Sequence, residues 1–195
     1  MRRWQVPVCY RTSASSAPRC RLLDDVSAQW SFGGGACPQW VFANADGRGY
    51  YRTAYATDML ADLAKAPLSE AERLAFAADE WALVRGGVHT VGDYLTVAAE
   101  LIRGRSPAVV GEVAKQLRFI RDVVAPDGAR GAFDRTVRRF LAPAAAELGP
   151  APRPRDTEDQ RALVASAYRA AGADAVDGFR KVLLGLVNEI GRAHV

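Results

Sequence analysis

Residues Gln39 to Tyr55 read QWVFANADGRGYYRTAY. An apolar run, Trp40-Val41-Phe42, leads into Asn44-Ala45-Asp46-Gly47, and then comes a second run, Tyr50-Tyr51-Arg52-Thr53-Ala54-Tyr55. Both runs are rich in side chains that fit the pleated, half-buried surface of a sheet. Asp-Gly between them tolerates the positive φ angles of a tight connection. The stretch therefore predicts a hairpin of two strands. It also divides the chain: the residues before it pattern as β-structure, and those after it as helix.

Upstream, Trp4-Gln5-Val6-Pro7-Val8-Cys9-Tyr10 alternates as a strand does. Thr12 to Pro18 reads as a polar loop, and Arg21 to Val26 as a further short strand. Gly33-Gly34-Gly35 lacks the Gly-Lys-Ser/Thr that opens a phosphate-binding loop, so an inter-strand loop is expected. Residues 1–56 thus supply about four strands where a sandwich has about seven. They are expected to be the C-terminal remnant of a β-sandwich domain that begins upstream.

Downstream the period is helical. Met59 to Lys65 predicts a short helix stopped by Pro67. Ser69-x-x-Glu72 is a capping box opening a helix with Leu74, Ala77, Ala78, Trp81 and Val84 on its apolar face, closed by Gly86-Gly87. Thr90-x-x-Asp93 caps a helix whose stripe is Val91, Tyr94, Leu95, Ala98, Leu101 and Ile102. Ser106-Pro107 opens another, with Val110, Val113, Leu117, Ile120 and Val124 at helical spacing. Pro126-Asp127-Gly128 interrupts the pattern. The next helix turns Phe133, Val137, Phe140 and Leu141 inward and Arg135, Arg138 and Arg139 outward, and Pro143 is expected to kink or end it. A proline-rich connector, Gly149 to Pro154, precedes a helix capped by Thr157-x-x-Gln160 and a last run from Asp174 to Asn188. At about 130 residues this helical part is long enough to fold alone.

Hydrophobic content of 49% and charged content of 25% are those of a globular chain and exclude wholesale disorder. The net charge is +4, but arginine and acid are interspersed, so no nucleic-acid partner is expected. Of the basic residues only Lys65, Lys115 and Lys181 are lysines, the bias of a GC-rich bacterial genome. No apolar run approaches the ~20 residues of a membrane span, so no membrane partner is expected. Arg2-Arg3 has no apolar region behind it, and a cytoplasmic location is favoured. Cys9, Cys20 and Cys37 fit no zinc spacing, and their odd number argues against a closed disulfide framework. They are expected to be buried free thiols.

The pattern Trp40, Asn44, Gly49, Tyr50, Tyr51, Arg52, Tyr55 resembles the junction between the β-sandwich and the helical C-terminal domain in aminopeptidase N-type zinc metallopeptidases. The helix after it is similar to that family's L-S-x-x-D-R…D-x-x-A-L-x-R-x-G segment, here Leu68-Ser69-Glu70-Ala71-Glu72-Arg73 and Asp79-Glu80-Trp81-Ala82-Leu83-Val84-Arg85-Gly86-Gly87. Trp4-Gln5-Val6-Pro7-Val8 resembles a W-x-V-P-V strand of the sandwich, and Leu148-Gly149 an E-L-G-W segment with Pro150 in place of tryptophan. Glu72 replaces the usual Asp, and Ala54 and Ala56 stand where Asn and Asp are common.

The resemblance implies a mainly α fold, an antiparallel HEAT/ARM-like helical array over residues 57–188, preceded by the partial β-sandwich of residues 1–56. It implies the C-terminal part of an enzyme that removes N-terminal residues from peptides. In that family zinc is held by H-E-x-x-H and a downstream Glu, a G-x-M-E-N segment takes the free amine, and a tyrosine stabilises the tetrahedral intermediate. None of these motifs is in this chain. No catalytic, cofactor-binding or metal-ligating residue is therefore expected here; zinc belongs to the full-length parent, whose N-terminal catalytic domain and peptide substrates are the implied partners. The helical part would close over the active-site cavity and restrict access to it. A non-catalytic helical scaffold or peptide-binding module of the same family is the alternative.

His89, in a turn between helices, is expected to be exposed, and His194 lies in Glu189 to Val195. That heptapeptide reads as one frame of a short-read sequencing adapter and is expected to be read-through. Ser13, Ser15 and Ser16 lie outside any G-x-S-x-G elbow.

Overall fold

The computed structural model describes residues 4–32, 37–148 and 157–158, with backbone alone over 141–148. The glycine-rich loop at 33–35, the connector at 149–154, the helix after Thr157, the run from Asp174 and the tail from 189 lie outside the described residues. The rest is mainly helical, with one three-stranded antiparallel sheet.

The strands are β1 (Val6–Thr12), β2 (Ser15–Leu23) and β3 (Val41–Phe42), in the order β2-β1-β3. The segment expected to be a loop, Thr12 to Pro18, holds the end of β1, its turn and the start of β2, and β2 stops at Leu23 instead of running to Val26. Residues 16–22 of β2 are exposed without interruption. A polar strand at the edge of a sheet carries the composition of a loop, which is why its Ser-rich start reads as one.

The β1–β2 ladder pairs Val6 with Leu23 and places Cys9 directly opposite Cys20. Directly opposed side chains on one face stand within disulfide reach, and these two are bonded. The expectation of three buried free thiols is corrected: only Cys37 is free, and it is exposed.

The hairpin predicted for Gln39 to Tyr55 does not form. Asp46 and Gly47 do take positive φ, 60° and 65°, but within a 3-10 turn over Ala45–Gly47. The Asn44 side chain extends that turn, its Oδ1 accepting from Gly49 N at 2.7 Å. Residues 50–55 form no strand. In place of a ladder, the Tyr51 hydroxyl donates to Ala43 O at 2.7 Å and the Tyr55 hydroxyl accepts from Ala43 N at 2.9 Å. β3 pairs with β1 instead, Arg11 opposite Phe42 and Thr12 opposite Val41.

A 3-10 turn, Thr57–Met59, leads into α1 (Leu60–Lys65), which ends at Ala66 as the adjoining Pro67 requires. The others are α2 (Glu70–Arg85), α3 (Val91–Arg103), α4 (Pro107–Phe119) and α5 (Asp127–Leu148). The caps form as their spacing predicts. Ser69 and Glu72 make a reciprocal box, Thr90 Oγ1 accepts from Asp93 N at 3.2 Å, and Ser106 Oγ accepts from Val109 N at 3.3 Å. α4 runs into a π-helical turn, Ile120–Val124, closed by Ala125 N donating to Ile120 O at 2.7 Å. The wider turn changes the helical phase, so Val124, expected inward, is exposed. α5 continues through Pro143 to Leu148, flanked there by strong helix formers.

The chain forms two compact units, Met1–Val97 and Ala98–Val195. In the first, Phe42 stacks on Tyr55 and Phe76 meets both rings edge-on, with centroids 5.7–6.2 Å apart, and Leu60, Leu63 and Ala77 are buried. In the second, Ala98, Leu101, Val109, Val113, Leu117 and Ile120 are buried. Phe133, Val137 and Phe140 are half-buried, and Arg135, Arg138 and Arg139 exposed, as their spacing predicts. Among the described residues no helix is long and apolar enough to cross a membrane.

Candidate functional site

The sheet meets the helices along α2, and it does so through charge. Glu72, Asp79 and Glu80 are all buried, at positions i, i+7 and i+8. Of the apolar face expected there, only Ala77 is fully buried; Leu74, Ala78, Trp81 and Val84 are half-buried. The junction loop supplies polar partners to the acid-bearing side, so that side is covered as completely as an apolar one.

Glu72 is fully buried and takes both Nε, at 2.8 Å, and Nη2 of Arg11 from β1. Its oxygens also accept from Ser69 N at 2.8 Å and Asp46 N at 3.2 Å. One carboxylate thus caps its own helix, anchors the central strand and fixes the junction turn. Burial works to raise the Glu72 carboxyl, but the Arg11 hydrogen bonds, the two N–H donors and the Arg11 charge outweigh it and hold it below the ordinary value.

Asp79 accepts from Thr53 N at 2.9 Å, from Thr53 Oγ1 at 2.8 Å and from Arg52 Nη1 at 3.4 Å. The motif residues around it divide the remaining work. Arg11 lies over the Trp40 ring, 5.9 Å from its centroid. A Cβ on Gly49 would stand 2.2 Å from Cε1 of Tyr51, so the ring packs where only glycine leaves room. Burial raises the Tyr55 hydroxyl to about 12, against hydrogen bonds with Ala43 and Thr53 that favour its ionised form. It stays protonated and holds its place. Tyr50 alone of the set is fully exposed.

His89 is not exposed, contrary to expectation. Its side chain is 7% accessible, and Nδ1 lies 2.8 Å and 3.0 Å from the two oxygens of Glu80, itself 1% accessible. The chain reverses at Gly87 (φ 70°), with Val88 N donating to Leu83 O at 2.9 Å, and this returns His89 against the last turns of α2. Burial pushes the Glu80 carboxyl up, the His89 hydrogen bond opposes it, and the nearby Asp93 charge adds to it.

Each acid is held by its own set of partners, an arrangement that fixes geometry. Among the described residues no group of three or more His, Cys, Asp and Glu could hold a metal ion. Among those residues His89 is the one histidine, and Cys9 and Cys20 are bonded to each other. Sequence reasoning missed the Arg11–Glu72 clamp, whose partners are 61 residues apart, and the Glu80–His89 pair, whose signal was a histidine just past a Gly-Gly stop.

The motif from Trp40 onward is therefore a structural joint in which nearly every residue has an assigned contact. A family model described as the ERAP1-like C-terminal domain matches residues 40–190, beginning at that tryptophan. The chain belongs to this family. It is a C-terminal domain of an M1-type aminopeptidase, and the joint lies at the start of the matched ERAP1-like region. No curated protein matches the chain.

Proposed function

We propose that this chain is the C-terminal part of a zinc-dependent, N-type aminopeptidase that removes N-terminal residues from peptides. The observation that carries the reading is the ERAP1-like match over residues 40–190. In this reading zinc and the catalytic residues belong to an N-terminal domain of the same polypeptide. Residues 1–56 are the remnant of its β-sandwich, and residues 57–188 are an antiparallel HEAT/ARM-like array that encloses the active-site cavity and limits which peptides enter. The contribution to the reaction is positioning and exclusion. The buried clamps on α2 support this role, because a wall works only if its joint to the rest of the protein is rigid.

The test is hydrolysis of an aminoacyl p-nitroanilide and of a short peptide with zinc supplied. Residues 1–195 alone are expected to release nothing, and the chain joined to its upstream catalytic segment to release N-terminal residues in a zinc-dependent way. Release by residues 1–195 alone would overturn the reading. Inactivity of the joined protein would leave a non-catalytic scaffold in its place.

A further inference from the structure

We propose that the Cys9–Cys20 disulfide is a redox-controlled strap on the outer strand of the sheet, opened by a dithiol reductant that attacks Cys20. Among the described residues of this chain β2 is an edge strand, exposed from residue 16 to 22, with only β1 paired to it. Its ties are the ladder, the disulfide, and the Arg21 guanidinium, which lies 6.0 Å from the Trp30 ring centroid and donates to Ser31 O at 3.3 Å. Successive residues of a strand face opposite ways, so Arg21 and Cys20 hold β2 from opposite faces. Among the described residues, the covalent bond is the one strong tie of this strand on the disulfide's face.

β1 is held differently. It pairs with β3, buries Tyr10 beside Trp30 and Phe32, and anchors Arg11 on Glu72. Reduction therefore loosens β2 and leaves β1 on the helices. Cys20 lies on the exposed strand while Cys9 is half-buried, and thiol–disulfide exchange needs access to the attacked sulfur. The reductant's thiolate bonds to Cys20 Sγ and expels Cys9 as a thiolate. The second thiol of the dithiol then displaces Cys20, so the reductant leaves as a disulfide and the protein gains two electrons and two protons. Exposed disulfides are the labile and regulatory ones, whereas fully structural ones resist exchange.

The test uses the full chain, oxidised in air or treated with dithiothreitol. The thiol count is expected to rise from one, Cys37, to three. Amide exchange over residues 15–23 is expected to accelerate by about tenfold or more, as local opening of an edge element does, while α2 amides are unchanged. The double variant Cys9→Ser/Cys20→Ser is expected to exchange like the reduced protein and to ignore dithiothreitol. Glutathione, a monothiol, is expected to be trapped on Cys20 in peptide mass spectra. Unchanged exchange in β2 after reduction, equal acceleration in α2, a disulfide that survives excess dithiothreitol, or an adduct on Cys9 would each overturn the proposal.

Discussion

Glu72 shows how much one side chain can organise. It is fully buried and accepts from Arg11, Ser69 and Asp46 at once. Removing one partner of a buried charge pair leaves the other uncompensated, at a cost of about 3–5 kcal/mol. Glu72→Ala, which strands the Arg11 guanidinium and two N–H donors, is expected to lower stability by that amount in urea unfolding at neutral pH. The direction of its shift sets the pH dependence. The folded carboxyl titrates below its ordinary value, and an unfolded Glu titrates near about 4.3. Its stabilisation is therefore complete above about pH 4.3 and is lost as pH falls through the lower, folded value. Urea midpoints of the wild type and Glu72→Gln are expected to differ most at neutral pH and to converge on acidification. A gap that stays constant to pH 2 would show that the charge is not what Glu72 supplies. Glu80 has the opposite sign: burial raises it, so its contribution to stability is lost as pH rises through its folded value.

Among the elements, the helix starts and the strands at β1 and β3 are legible in the sequence and the pairing of the strands is not, for one physical reason. The caps at Ser69, Thr90 and Ser106 are formed by residues three positions apart, so spacing alone specifies them. Strand register depends on the partner strand, and β2 has the polarity of a loop because it lies at the edge. Periodicity misjudges the burial of α2 because it takes a buried face to be apolar, whereas Glu72 and Asp79 are covered by partners 61 and 26 residues away. The aromatic run at 50–55 patterns as a strand because its tyrosines are strand formers, yet the Tyr51 and Tyr55 hydroxyls bond Ala43 in place of a ladder. Two glycines separate conformational from steric need. Gly87 has φ 70° and open space around its Cβ position, so Gly87→Ala is expected to cost about 1 kcal/mol of backbone strain. Gly49 leaves only 2.2 Å to Tyr51 and 2.9 Å to Asn44 Oδ1, and Gly49→Ala is expected to cost about 1–3 kcal/mol through overpacking. Urea midpoints rank the two; a milder Gly49→Ala would mean that the Tyr51 ring is not fixed there.

For the molecule as a whole, length suggests that a chain starting at Thr57 could fold without the residues before it. The contacts argue otherwise. The sheet, the junction and α1 and α2 fall in one compact unit, and Glu72 and Asp79 draw most of their partners from before residue 57. Starting at Thr57 removes Arg11 and Asp46 from Glu72, and Thr53 and Arg52 from Asp79. It also removes Phe42 and Tyr55 from the Phe76 ring. Two buried carboxylates and an aromatic face are then left to solvent, and of the contacts described above α2 keeps its Ser69 cap and the Glu80–His89 pair. The shortened chain is expected to bind more of a hydrophobic dye than the intact one, and to lose helical circular dichroism at lower urea. An equal midpoint and equal dye binding would show that α2 is stabilised by the helices alone. In that case the family motif at Trp40–Tyr55 would serve only to connect. If the midpoint falls, the motif is a part of the helical domain's own core, and a boundary drawn at residue 57 cuts through a folding unit.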